Sequence, residues 1–202
     1  MFVSDIFEKE LKLQDQIAEK QLKNYLNAQR FYFLAEQCLN LIQKSMQPVL
    51  KEFKLNHSQH LVLLTLRYAD FSGNAIKNTD LAYLLGLEKH TVSTIIDNLY
   101  KRGLLSRDRN EKDRRTVNIK LTEKGRILVK THHPKTMEKI SFETEGAEED
   151  FELLFSVLES LRNTSAEKNN QSPMVYSSAF KKLLLDGQEK FLKKYNREAF
   201  DA

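Results

Sequence analysis

LEKHTVSTIIDNLYKRGLLSRDRNEKDRRTVNIKLTEKG, residues 87–125, decides the fold. Val92, Ile95, Ile96 and Leu99 recur at the i, i+3, i+4, i+7 spacing that gives a helix one apolar stripe. The opposite face carries His90, Ser93, Thr94, Asp97, Asn98 and Lys101, short polar groups of the kind that meet base edges and phosphates. Gly103 stands where a helix C-terminus needs a residue with positive φ. Beyond it, Val117, Ile119 and Leu121 alternate with Thr116, Asn118 and Lys120, as in a strand with one buried face. The intervening Asn110–Arg114 is polar and charged, so the spacing predicts a projecting hairpin turn. Helix, glycine stop, basic hairpin and a further helix start make a winged helix-turn-helix, a fold that binds duplex DNA.

The preceding element completes the motif. Asn78 or Thr79 is placed to cap a helix with apolar positions Leu81, Leu84 and Leu85, and Gly86 ends it a few residues before the next helix begins. In this arrangement the first helix braces and the second lies in the major groove, its N-terminal residues nearest the bases.

Working outward, the remaining sequence is mostly helical in pattern. From about Asn24 to Lys51, Phe31, Leu34, Cys38, Leu41, Ser45 and Val49 form a near-heptad seam suited to a partner helix, with Pro48 near its end. His57 or Ser58 opens a helix whose Leu61–Leu66 run predicts burial on several sides. Phe71–Asn78 reads as a loop, and Ala75–Lys77 can add a short third strand to the wing. Thr122 caps the helix after the wing, and Pro134 is expected to kink or interrupt it. Gly146–Asp150 starts another helix, followed by a polar linker from Asn163 to Ser172. From Pro173, apolar residues keep helical spacing, and this last segment is expected to pack on a dimer's helical bundle. The fold class is therefore mainly α, with a small antiparallel β-wing and a helical dimerisation bundle. Its divisions are 1–54 (dimerisation helices), 55–125 (DNA-binding domain), 126–163 (dimerisation helices) and 164–202 (linker and extra helix).

Charge distribution agrees. The chain carries +4 overall, but residues 76–126 carry +5 and the remainder −1. The basic character sits in the reading module, where phosphate contacts would use it. No long apolar run suggests a membrane span, the N-terminus is too charged for a secretory signal, and one cysteine excludes an internal disulfide framework. A cytoplasmic protein is expected. No phosphate loop, HExxH, GxSxG or Cys/His constellation points to an enzyme.

Over Asp80–Gly125, the segments LAYLLGL, KHTVSTIIDNLYKRGLL, DRRTVNIKLT and TEKG resemble the MarR family of bacterial transcriptional regulators. The resemblance implies a homodimer with interlocked N- and C-terminal helices, a small-molecule effector cleft, and no cofactor or catalytic residue. It also implies a double-stranded DNA operator, a pseudo-palindrome most simply bound by a repressor. Residues before about Asn24 and after about Asn163 lie outside the usual family length. Relatives often carry arginine where Thr94 and Asn98 stand, so readout here should use smaller groups.

The expected DNA-contacting residues are Lys89, His90, Thr91, Ser93, Thr94 and Asn98 on the helix, with Arg109, Lys112 and Arg114 on the wing. The resemblance places Arg114 at the wing tip, facing the minor groove, and folds Arg115 back to an ion pair with Asp97. Cys38 reads as a small buried hydrophobe rather than a redox sensor. His57, His60, His132 and His133 read as helix-surface histidines, because they do not compose a closed metal set. The contrasting possibility is a winged helix with an architectural or protein-binding role and no effector.

Overall fold

The computed structural model describes residues 2–73, 76–109, 117–140 and 148–169, together with Gly187 and Lys190. Two compact units are present, Met1–Ser45 and Met46–Ala202. The elements run α1 (Phe2–Glu52), α2 (His57–Ser72), β1 (Ile76–Lys77), α3 (Asn78–Leu85), α4 (Lys89–Lys101), β2 (Leu105–Arg109), β3 (Val117–Leu121), α5 (Glu123–Glu138) and α6 (Glu148–Lys168). None of the helices among the described residues is long and apolar enough to cross a membrane.

In the second unit, local chemistry fixes each boundary. Asn56 caps α2 through a capping box with Gln59, the Asn56 side chain accepting from Gln59 N–H at 2.8 Å and Gln59 Oε1 from Asn56 N–H at 3.1 Å. The helix opens at His57, as expected, but continues to Ser72 and stops at Gly73, so the following loop is shorter than the sequence suggested. Lys77 rather than Asn78 or Thr79 takes the cap position of α3, because the Asp80 carboxylate accepts from the Lys77 N–H at 2.9 Å while Asn78 turns to another partner. Gly86 and Gly103 adopt left-handed φ of 62° and 69°, as required of stops this tight. Thr122 caps α5, accepting from Gly125 N–H at 3.1 Å.

The three strands form an antiparallel sheet in the order β1-β3-β2, with Ile76 opposite Ile119 and Leu105 opposite Leu121. The short third strand expected before α3 is thus present. Leu63 and Leu66 of α2, Leu81 of α3, and Ile96 and Leu99 of α4 are fully buried with Ile76, Leu105 and Leu121 of the sheet. At about 1.5–3 kcal/mol for each such side chain, this core holds the helix-turn-helix against the sheet.

Three expectations are revised. Pro134 does not interrupt α5, which runs through it to Glu138. The polar run from Asn163 to Lys168 extends α6 instead of forming a linker. Cys38 is exposed rather than buried. Leu34, Leu41 and Ser45 of the same seam are also exposed, Phe31 is half-buried, and only Val49 is buried.

Most of the segment after Pro173 lies outside the described residues. Gly187 is helical and buried, and a Cβ built on it would collide with the Tyr68 carbonyl and lie 2.9 Å from the Tyr68 Cα. The contact seen for this segment is therefore with α2 of the winged unit.

Candidate nucleic-acid interface

Helix α4 buries Val92, Ile95, Ile96 and Leu99 and leaves its other side open. Lys89, His90, Thr94 and Asn98 are exposed, whereas Thr91 and Ser93 are half-buried. The Thr94 hydroxyl donates to the His90 carbonyl at 3.1 Å, which orients its oxygen while leaving it able to accept. Ser93 is more constrained. Its hydroxyl donates to the Lys89 carbonyl at 2.9 Å and accepts from Asn78 Nδ2 at 2.6 Å, tying the first turn of α3 to α4. Ser93 thereby sets the angle between brace and reading helix. Glu88 takes the cap position of α4 with extended backbone and no side-chain cap bond, so the first-turn N–H groups remain for an outside acceptor such as a phosphate oxygen.

The wing stands beside this face. Arg109 pairs with Val117 at the outer end of the β2–β3 ladder. Lys112, Arg114 and Arg115 lie outside the described residues. On the surface of the wing, Lys120 Nζ meets Asp108 Oδ2 at 2.7 Å. On the inner side, Arg107 reaches α4, where its guanidinium bonds the Asp97 carboxylate and lies 5.0 Å from the Tyr100 ring centroid. Asp97 thus has a described cationic partner in Arg107, one that the sequence reading passed over in favour of Arg115. Register offers the missed signal, for Arg107 stands opposite Ile119, two residues along from the buried Leu105–Leu121 pair, and so shares the face that looks toward α4.

An acid on a DNA-facing helix repels phosphate unless a cation neutralises it. The Arg107 contact supplies that neutralisation and anchors the wing. Both side chains are partly solvated, so a double-mutant cycle of Asp97→Ala and Arg107→Ala should give a coupling of about 0.2–1 kcal/mol in urea unfolding. Strict additivity would dissolve the link.

Away from this face, a cavity of about 550 Å³ is lined by Phe53, Leu104, Ile127 and Leu128, with Lys101, Arg102 and Lys124 among its polar walls. Arg102 donates to the carbonyls of Lys54 and Phe53, and Lys124 to that of Arg102, so these cations also hold the helix ends together. The four histidines are not on the surface as expected. His60, His132 and His133 are buried and His57 is half-buried, because their helix positions fall on the same sides as Leu63 and Val129. Among the described residues no group of three or more His, Cys, Asp or Glu is arranged to hold a metal.

The family described as transcriptional regulator SarA/Rot matches residues 44–131. An uncharacterised HTH-type transcriptional regulator of Bacillus subtilis, YdcH, is 31% identical over 93 residues, covering 46% of this chain and 63% of its own length. The transcriptional repressor MprA of Escherichia coli is 30% identical over 95 residues, covering 46% and 53%. Among solved structures, Bordetella bronchiseptica BpsR, whose DNA binding is regulated by 6-hydroxynicotinic acid, is 26% identical with a TM-score of 0.53, covering 66% of this chain and 91% of that one. The match spans about half to two thirds of the two curated relatives' own lengths.

Proposed function

We propose that the chain is a winged-helix transcriptional regulator of the MarR and SarA/Rot type that binds duplex DNA sequence-specifically as a homodimer and represses transcription in the cytoplasm; its likeness to the SarA/Rot regulators over residues 44–131 and to the repressor MprA supports this reading. The observation that carries this reading is α4, with a fully buried apolar stripe on one side and Lys89, His90, Thr94 and Asn98 exposed on the other. Two such helices related by a two-fold axis would read half-sites about one helical turn, roughly 10 base pairs, apart. Selection of bound duplexes from a random pool tests it. An enriched palindrome of that spacing is expected, and enrichment without sequence preference would favour the architectural alternative.

Arg109, Lys112 and Arg114 are assigned to flanking contacts, with Arg114 entering the minor groove. Arg114→Ala should then weaken binding to the selected duplex by about 1–3 kcal/mol while leaving the fold intact. Unchanged affinity by fluorescence anisotropy would remove the wing from the interface.

The reading includes a small-molecule effector. The cavity between Phe53 and Leu128 supports it, since its apolar floor and the ammonium and guanidinium groups of Lys101, Arg102 and Lys124 suit a small organic anion. No catalytic residue is assigned.

A further inference from the structure

The chain has five histidines, and four of them gather where α2 meets α5. His60 is 1% exposed, His132 0% and His133 5%. His60 Nδ1 lies 2.9 Å from His132 Nε2, and His132 Nδ1 lies 2.7 Å from the Leu128 carbonyl oxygen. These two distances settle the tautomers. A carbonyl oxygen can only accept, so His132 Nδ1 carries a hydrogen and donates it. The Nε2 of neutral His132 is then a bare lone pair, and His60 Nδ1–H donates to it. The direction of the relay is His60 to His132 to Leu128, with no place for another proton between the two rings.

We propose that the His60–His132 hydrogen bond is a proton-sensitive latch between α2 and α5, and that acidification opens it and releases the protein from DNA. A proton taken from solvent by His132 Nε2 would either set two N–H groups facing each other at 2.9 Å or force the His60 hydrogen onto Nε2, and in both cases would place a charge in the core. α2 packs against α3, α4 and β3, and α5 follows directly from β3, so loosening this contact disturbs the frame on which the reading helix is mounted. The release half of the proposal rests on the DNA-binding reading above; the latch half does not.

The surroundings favour the neutral rings. From α2, His57 stacks with its ring centroid 6.5 Å from that of His60. Tyr68 sets its ring edge-on to His133 at 6.3 Å, and burial pushes its phenol up to about 12, so it stays neutral. From the segment after α1, Phe53 lies 5.7 Å from His132. Among the described residues, the charged groups at this helix pair include Lys135 of α5, whose Nζ sits 5.2 Å from the Phe53 centroid, its ion-pair partner Glu52 of α1 at 2.7 Å, and Arg126 of α5, which meets Asp70 of α2 at 3.0 Å. Burial, reinforced by the neighbouring histidines, lowers His60 to about 3 and His133 to about 4; burial also lowers His132 and His57. A histidine whose folded value is depressed contributes stability that is complete above the unfolded value of about 6.5 and is lost as pH falls below it, because only the unfolded chain takes up the proton.

The test compares the full-length wild type with His60→Asn/His132→Gln. Asparagine Nδ2 stands in for His60 Nδ1 as donor and glutamine Oε1 for His132 Nε2 as acceptor, so the bond is kept and its titration removed. The unfolding constant in urea, measured at about pH 7.5 and 5.5, should rise for the wild type by about tenfold for each histidine held neutral, and the rise should be at least about tenfold smaller in the variant. An equal rise in both would overturn the latch. Should the variant not fold, imidazole ¹⁵N spectra of the wild type decide it, since a hydrogen on His132 Nε2 at neutral pH contradicts the relay. At a urea concentration that half-unfolds the wild type at about pH 7.5, binding to the selected duplex should weaken severalfold on going to about pH 5.5, and much less in the variant at its own midpoint, His90 being common to both. A fall of equal size in both would separate the latch from DNA release. Failure of either protein to bind any duplex at neutral pH would instead count against the DNA-binding reading, and the unfolding comparison would still stand.

Discussion

Replacing Thr94 and Asn98 together by aspartate should abolish specific DNA binding, with a loss of at least about 3 kcal/mol, or two orders of magnitude in affinity. Both side chains are exposed on the side of α4 opposite its buried stripe, one turn apart, so neither contributes to the core. Each substitution removes a neutral donor or acceptor from the proposed reading surface and adds a carboxylate facing phosphate. Unlike Asp97, the new acids have no Arg107 to neutralise them. Thermal unfolding should be nearly unchanged, and anisotropy with the selected duplex should show the loss. Wild-type affinity in this variant would move the interface off α4.

Leu154→Asp combined with Leu158→Asp on α6 should convert the proposed dimer to monomer. Leu154, Val157, Leu158 and Leu161 follow the i, i+3, i+4, i+7 pattern and are 44%, 42%, 41% and 36% exposed, an apolar stripe open among the described residues. At about 1.5–3 kcal/mol for each leucine that a partner would bury, counted in both subunits, the pair of substitutions should raise the dimer dissociation constant more than about a thousandfold. Sedimentation equilibrium at micromolar protein reads this directly. A dimer that persists unchanged would place self-association elsewhere, with the exposed Leu26, Phe33 and Leu34 of α1 the next surface to test.

How much of this was legible depended on whether the determining force was local. Gly86 and Gly103 announce their stops because a left-handed φ is a property of single residues. The alternation through Val117, Ile119 and Leu121 gave the strand because pleating is equally local, and the structure pairs those residues with Arg109, Arg107 and Leu105. Asp97 is harder. Several arginines crowd one basic hairpin, and only the strand register brings Arg107 to α4. The histidines misled for a different reason. Polarity argued for the surface, but His60 lies three residues before Leu63 and His132 three after Val129, and periodicity placed both inside. They are tolerated there because they satisfy one another, a pairing across 72 positions that neither helix discloses alone. The cap of α3 shifted by one residue for a related reason, since Asn78 was claimed by Ser93.

The seating of Gly187 on the Tyr68 backbone has a consequence for biosynthesis. Roughly 120 residues separate the two, a long loop to close and so a slow contact to form. A ribosome releases the helix-turn-helix, the wing and α6 well before residue 187 emerges, so a nascent chain can assemble its reading surface while that part of α2 is still bare. During this interval that part of α2 is open to chaperones, proteases or another nascent copy, and it closes once residue 187 has emerged. A ribosome stalled shortly before codon 187 would hold an assembled helix-turn-helix and wing with the seat on the Tyr68 backbone still vacant.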